Sequence, residues 1–277
     1  MQAAYDQLVF SGGGLRCFWH GGWMETVRER RTFAPERVTG VSGGALSAAA
    51  WIAGEESHLF ERFARAVTRQ DRNATLADLD AEDGRSPHQR VYEDIVADVI
   101  DAAAQARIAD GPAFQISVAT PGDGTGHALK ALAAGTIYQA EQVVAPTPKP
   151  RLSSLAGVEQ RLIDARRAAR DGVLPDLIRM AATVPPAFRA DQWDGEPVFD
   201  GGMVDKAPRP EPDRGRTLVL LTKRFTSLPD GPPRVDYVQP SEEVLSGSKL
   251  DFTDPDLLRE AWNQGRRDGT AWLNENT

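Results

Sequence analysis

Cysteine is nearly absent: Cys17 is the single one in 277 residues. That excludes an intrachain disulfide and any cysteine-built metal centre. Positive charge is in deficit, with 32 basic against 40 acidic residues and a formal net charge of −8. A phosphate-rich partner wants the opposite sign, so no nucleic-acid partner is expected. Long apolar runs are also missing. The nearest, Ala45–Ala53, is too short to cross a bilayer, so no transmembrane segment is expected. The N-terminus has no basic stretch ahead of an apolar core and carries Asp6 early, so no secretory signal is expected and the expected location is cytoplasmic. What remains is ordinary for a globular chain, with 41% hydrophobic and 26% charged residues, enough for a sizeable core. No fixed-period repeat, low-complexity tract or clear linker interrupts it, and residues 1–277 are expected to form one domain.

The patterning alternates strands with helices. Leu8-Val9-Phe10 reads as a buried strand and Phe18–Arg30 as a helix with Trp19, Trp23 and Val27 on one face. Arg37-Val38-Thr39 reads as a strand leading to a small-residue helix, ALSAAAWIAG. Ser86-Pro87 is a helix start, a cap followed by proline at the first helical position. Phe114–Thr120 is the clearest strand. A proline-rich loop is expected at 145–151, a charged helix at Val158–Arg170, a helix at Leu174–Thr183 and a strand at Leu218–Leu221. Residues 229–240 read as a loop, and Thr253-Asp254-Pro255 starts a last helix. This alternation points to an α/β fold with a mostly parallel sheet covered on both faces.

Two glycine clusters ask for a chemical reason. Gly12, Gly13 and Gly14 stand where a strand hands over to a helix, and each costs backbone entropy. Gly40-Val41-Ser42-Gly43-Gly44 is a G-x-S-x-G between strand and helix, the pattern of a nucleophile elbow that exposes Ser42 at a helix N-terminus. A plain Gly/Ser turn is the alternative. A loop without side chains, ahead of the nucleophile in the chain, suits amides converging on a developing oxyanion. The competing dinucleotide fingerprint fails at its third glycine, which is Cys17. A serine nucleophile needs a base. His20 lies in the first helix, His58 and His88 stand among charged residues where surface exposure is expected, and His127 follows a glycine-rich turn. None occupies the late position, downstream of an acid, where an α/β hydrolase carries its base. The late chain instead has Val198-Phe199-Asp200-Gly201-Gly202, which reads either as a carboxylate delivered on a tight turn or as a simple Asp-Gly hairpin.

Taken in order, GGGLR, GVSGG and DGG resemble the patatin-like phospholipase family, and the stretch LPDLIRMAATVPPAFRADQWDGEPVFDGG is similar to the segment that leads into that family's aspartate. The resemblance runs from about Leu8 to Pro208, with a weaker echo in DFTDPDLL. It implies a three-layer α/β/α fold with a mostly parallel sheet, and a catalytic dyad of Ser42 and Asp200. It further implies an oxyanion hole from Gly12, Gly13, Gly14 and Gly43, supported by Arg16, Gly40, Gly44, Gly201 and Gly202. The implied substrate is a phospholipid, lysophospholipid or other acyl lipid met at a membrane interface. A Ser-Asp mechanism requires neither metal nor other cofactor. A thioesterase or small-ester esterase using the same dyad, and a silent lipid-binding module, are the alternatives. Two positions depart from the family pattern: Cys17 stands where glycine is usual after the arginine, and Ser11 where aspartate is frequent. Phe18, Trp19 and Trp23 beside the glycine loop read as core residues or as the lining of an acyl channel.

Overall fold

The structure is a computed structural model that describes residues 5–69, 85–121, 147–148, 158–184, 191–229, 234–245 and 254–276. Strand β1 (Gln7–Phe10) is buried along its length. Leu8 and Phe10 join the main core while Val9 joins a second cluster with Val219, Leu221 and Phe225 on the other side of the sheet. A strand covered on both faces reads as a continuous apolar run, which is why Leu8-Val9-Phe10 was legible. On its two edges β1 pairs in parallel with β2 (Arg37–Val41) and with β7 (Thr217–Leu220). Strand β2 pairs in parallel with β3 (Ala113–Pro121), and β7 with β8 (Val235–Val238). The antiparallel members gather at one side: β4 (Val158–Asp164) and β6 (Glu196–Asp200) both pair with β3, and β5 (Asp191–Trp193) pairs with β6. The sheet is therefore mixed but mostly parallel, in the order β5-β6-β3-β2-β1-β7-β8.

Helices flank it. Helix α1 (Phe18–Arg28) follows a 3-10 turn over Gly14–Cys17, and α2 (Gly43–Ala53) springs from the end of β2. Next come α3 (Glu56–Thr68), α4 (Pro87–Val99), α5 (Ala102–Asp110), α6 (Ala165–Arg170), α7 (Leu174–Ala181) and α8 (Pro255–Glu275). The expected start of α4 is observed, with Ser86 Oγ accepting from Gln89 N–H at 3.1 Å. Trp19 and Trp23 are fully buried, so the packing reading of these aromatics holds. They lie against α8, where Gly265 and Gly269 face the carbonyls of Trp19 and Trp23 and let the two helix backbones close together. Trp19 Nε1 donates to Asp268 at 2.7 Å, and the Glu25 carboxylate takes Trp262 Nε1 at 2.9 Å. The hydrogen-bonded Arg266 guanidinium beside it holds Glu25 below its ordinary pKa.

Two expected elements differ. Residues 158–170 form not one helix but strand β4 followed by α6, with Asp164 at the junction capping the helix through Arg167 N–H at 3.1 Å. Charged residues at Glu159 and Arg161 are exposed while Val158 and Ile163 are buried, an edge-strand arrangement along β3 that helical charge spacing imitates. Within the expected loop 229–240, Val235–Val238 pairs with β7; four residues between prolines are too few for periodicity to reveal. The proline-rich 145–151 falls almost wholly outside the described residues.

Candidate active site

Strand β2 ends at Val41 and the chain reverses into α2 at Ser42, whose backbone sits at φ 53° and ψ −131°. Positive φ at a residue with a Cβ is uncommon and costs on the order of 1–3 kcal/mol, so it persists where the surroundings impose it. Here they do. A Cβ at Gly40 would lie 2.5 Å from Ala45 Cα, because the helix folds back onto the strand that feeds it. Gly44 presses on the carbonyl oxygens of Phe10 and Ser11, leaving no room for a side chain. The G-x-S-x-G stretch is thus a sharp strand-to-helix elbow with Ser42, 8% exposed, at the N-terminus of α2.

The first glycine cluster lies against this elbow. A Cβ on Gly12 would stand 3.4 Å from the Ser42 Cβ, and one on Gly43 would stand 3.0 Å from the Gly14 carbonyl oxygen and 3.1 Å from the Cys17 Sγ. Gly14 takes a left-handed φ of 57° as the chain enters the 3-10 turn. Among the described residues, nothing accepts a hydrogen bond from the N–H of Gly13, Gly14 or Gly43. Gly12 differs from the expectation, since its N–H donates to the Lys206 carbonyl at 3.0 Å and is spoken for. The two positions that depart from the family pattern meet each other, the Cys17 thiol pointing at the Ser11 carbonyl at 3.6 Å. Arg16 points its guanidinium Nε to the Val244 carbonyl at 3.1 Å, tying the 3-10 turn to residues beyond β8.

Asp200 arrives by a different route. Strand β4 occupies one edge of β3 along Gln115–Pro121, so β2 and β6 must share the other edge. Strand β2 leaves that edge after Val41 pairs with Ser117, and β6 takes it up at the next residue, where Asp200 pairs with Val118. Ser42 follows Val41 directly, so the register brings residues 42 and 200 to adjoining places at the end of β2. Asp200 is 2% exposed. Its Oδ1 accepts from Gly202 N–H at 2.8 Å, and its own N–H donates to the Thr183 carbonyl at 2.8 Å. Gly201 packs on Ser117, where a Cβ would collide with the strand. The Ser42 hydroxyl makes no hydrogen bond to a described residue. Tyr92 of α4, also buried, feels the charges of Cys17 and Asp200; burial first, and those charges second, push its phenol pKa well up.

Of the four histidines, three fall within the described residues. His20 is fully buried in α1, its Nε2 3.2 Å from the Leu220 carbonyl, and desolvation lowers its pKa to about 4. His58 lies between Glu55 and Asp98 at 3.3 and 3.4 Å. His88, expected at the surface, is 8% exposed because it faces inward from the first turn of α4. His127 lies outside the described residues. A cavity of about 520 Å³ opens between β4, α6, α7 and β5, and none of the residues lining it is one of the expected site residues. Among the described residues, no group of three or more histidine, cysteine, aspartate or glutamate side chains is placed to hold a metal, and no helix is long and apolar enough to cross a membrane. Sequence reading missed Thr222 and Lys206, both buried and both bonded to the glycine loop, since neither belongs to a motif.

Comparison with known proteins supplies independent findings. A family model described as patatin-like phospholipase matches residues 8–212. No curated protein matches the chain significantly. Among solved structures, VipD from Legionella pneumophila is similar in fold, with a TM-score of 0.53 at 11% identity over 99% of this chain and 67% of that one.

Proposed function

The chain belongs to the patatin-like phospholipase family, and from that premise we propose that it is a serine hydrolase of acyl lipids working through a Ser42–Asp200 dyad. Family membership supports lipid acyl hydrolysis in general; the dyad, the oxyanion donors and the ester substrates are our reading. One observation carries it: β6 takes over the edge of β3 at the residue where β2 departs, with Val41 opposite Ser117 and Asp200 opposite Val118.

The reaction then runs in two steps. The Ser42 Oγ attacks the ester carbonyl while Asp200 accepts its proton. The oxyanion that forms receives hydrogen bonds from the open amides of Gly13, Gly14 and Gly43, helped by the positive end of α2. Collapse breaks the ester C–O bond, and Asp200 returns the proton to the departing alcohol. Water then attacks the acyl-serine with Asp200 as base, releasing the fatty acid and restoring the hydroxyl. Each well-placed amide donor is worth about 100- to 1000-fold in rate, so the glycines rank close to the dyad in importance.

A fluorophosphonate probe tests the reaction class. Wild type should label at one serine, Ser42, while Ser42→Ala and Asp200→Asn should not. Parallel assays on phospholipid vesicles, lysophospholipid, acyl-CoA and short p-nitrophenyl esters then assign the substrate. Faster turnover of acyl-CoA or short esters than of any lipid would replace the lipid substrate with a thioester or small ester. A wild type that neither labels nor hydrolyses would refute the hydrolase reading.

A further inference from the structure

We propose that Thr222 is a positioning residue that aims the Gly13 amide at the reacting carbonyl by holding the peptide plane between Gly12 and Gly13. The inference rests on the hydrolase reading above and names a part of that site which no motif contains. Thr222 stands two residues past the end of β7 and is 2% exposed. Its Oγ1 donates to the Gly12 carbonyl at 2.7 Å. Its own N–H donates to the Ser11 Oγ at 3.0 Å, while the Ser11 N–H donates to the Leu220 carbonyl at 3.0 Å.

The Gly12 carbonyl and the Gly13 N–H belong to one planar trans peptide and point to opposite sides of it. A donor that fixes the carbonyl therefore fixes the direction of the amide. Without a side chain at either glycine, little else restrains rotation of this plane, since glycine samples backbone conformations that other residues cannot. Thr222 does so from a buried position, while the Gly12 carbonyl it holds is half-buried. The fit is tight, because a Cβ on Gly13 would run into the Thr222 hydroxyl. The preceding peptide is held as well, through the Gly12 N–H on the Lys206 carbonyl at 3.0 Å. Gly12 is thus gripped at both ends, and the first free amide of the loop, that of Gly13, inherits its orientation. Serine at position 11 is part of the same brace: its hydroxyl accepts from the Thr222 N–H while its carbonyl receives the Cys17 thiol at 3.6 Å.

A preorganised donor is effective because its direction is set before charge develops. Thr222→Val keeps the shape and removes the hydroxyl; Thr222→Ser keeps the hydroxyl and loses only a methyl. Steady-state hydrolysis of the ester that wild type cleaves fastest should show kcat reduced about 10- to 100-fold in Thr222→Val with KM within about twofold, a fraction of the full loss of one donor. Thr222→Ser should keep kcat within about threefold of wild type. A trifluoromethyl ketone, which mimics the tetrahedral oxyanion, should weaken on Thr222→Val by the same factor as kcat, while an uncharged ether analogue of the substrate should bind unchanged. Thermal unfolding of each variant separates folding from aim. Unchanged kcat in Thr222→Val, or equal losses of kcat in the valine and serine variants, would overturn the role of Thr222 and leave the dyad standing. An inert wild type would overturn both.

Discussion

Val41, which precedes Ser42, and Asp200 pair with consecutive residues of β3, yet Ser42 and Asp200 are held in place by different means. Around Ser42 the backbone itself does the holding: Gly40 against the first turn of α2, Gly44 against the carbonyls at the end of β1, and Gly43 against Gly14 and Cys17. Around Asp200 the hold is a short turn, with one carboxylate oxygen on the Gly202 amide and the backbone N–H on the Thr183 carbonyl. The Ser42 side, the nucleophile side of our proposal, is a steric construction from parallel strands and a helix N-terminus. The Asp200 side, the base side of our proposal, is a hydrogen-bonded turn at the end of an antiparallel strand. Substitutions on the first side should therefore harm fold and chemistry together, whereas the right substitution on the second should separate them.

Asp200→Asn sharpens that contrast most. The amide oxygen keeps the bond to Gly202, so thermal stability should stay close to wild type while kcat falls by at least about a thousandfold, read by steady-state kinetics beside thermal unfolding. A large loss of stability would break the comparison. Gly44→Ala probes the opposite side. Its Cβ meets backbone oxygens that have no rotamer by which to yield, so urea unfolding should show about 3 kcal/mol or more of lost stability, with activity lost in parallel. Retention of wild-type stability would show that the elbow is looser than its contacts.

Acid should strike the nucleophile side first. His20 reaches the Leu220 carbonyl, which also accepts from the Ser11 amide at the start of the glycine loop. Burial lowers its pKa from 6.5 to about 4, the Leu220 bond opposing the shift in part. Between those values the unfolded chain binds the extra proton and the folded one does not, so stability falls as pH drops from 6.5 toward 4, by about 3 kcal/mol. Above 6.5 this contribution is fully present. Chemical denaturation across that interval should show a shallower pH slope in His20→Gln than in wild type, and equal slopes would remove His20 as the cause. The smallest effect is a control far from either side. Ser86→Ala removes the α4 cap and should cost about 1 kcal/mol with kcat unchanged.

The sequence made most of the nucleophile side legible because its constraints are local. Glycines forced by close approach and a serine between strand and helix leave their mark within a few positions of one another. The base side was readable only in part. Val198-Phe199-Asp200-Gly201-Gly202 has the form of an ordinary turn, and nothing local tells that β6 replaces β2 on the same edge of β3. That fact belongs to sheet order, which depends on pairings across the chain. The same limit explains β4, whose exposed charges imitate a helix until its partner is known, and β8, too short to show a period. It also explains Gly12, whose amide is taken by a carbonyl 194 positions further along the chain, and His88, buried although it stands among charged residues in sequence.

The most direct test of the Ser42–Asp200 site is a crystal structure of the fluorophosphonate adduct. The account predicts phosphorus bonded to Ser42 Oγ, a phosphoryl oxygen within about 3 Å of the Gly13, Gly14 and Gly43 amide nitrogens, and the Asp200 carboxylate within hydrogen-bonding distance of the adduct. Phosphorus on another residue, or an adduct oxygen turned to solvent with Asp200 out of reach, would contradict it.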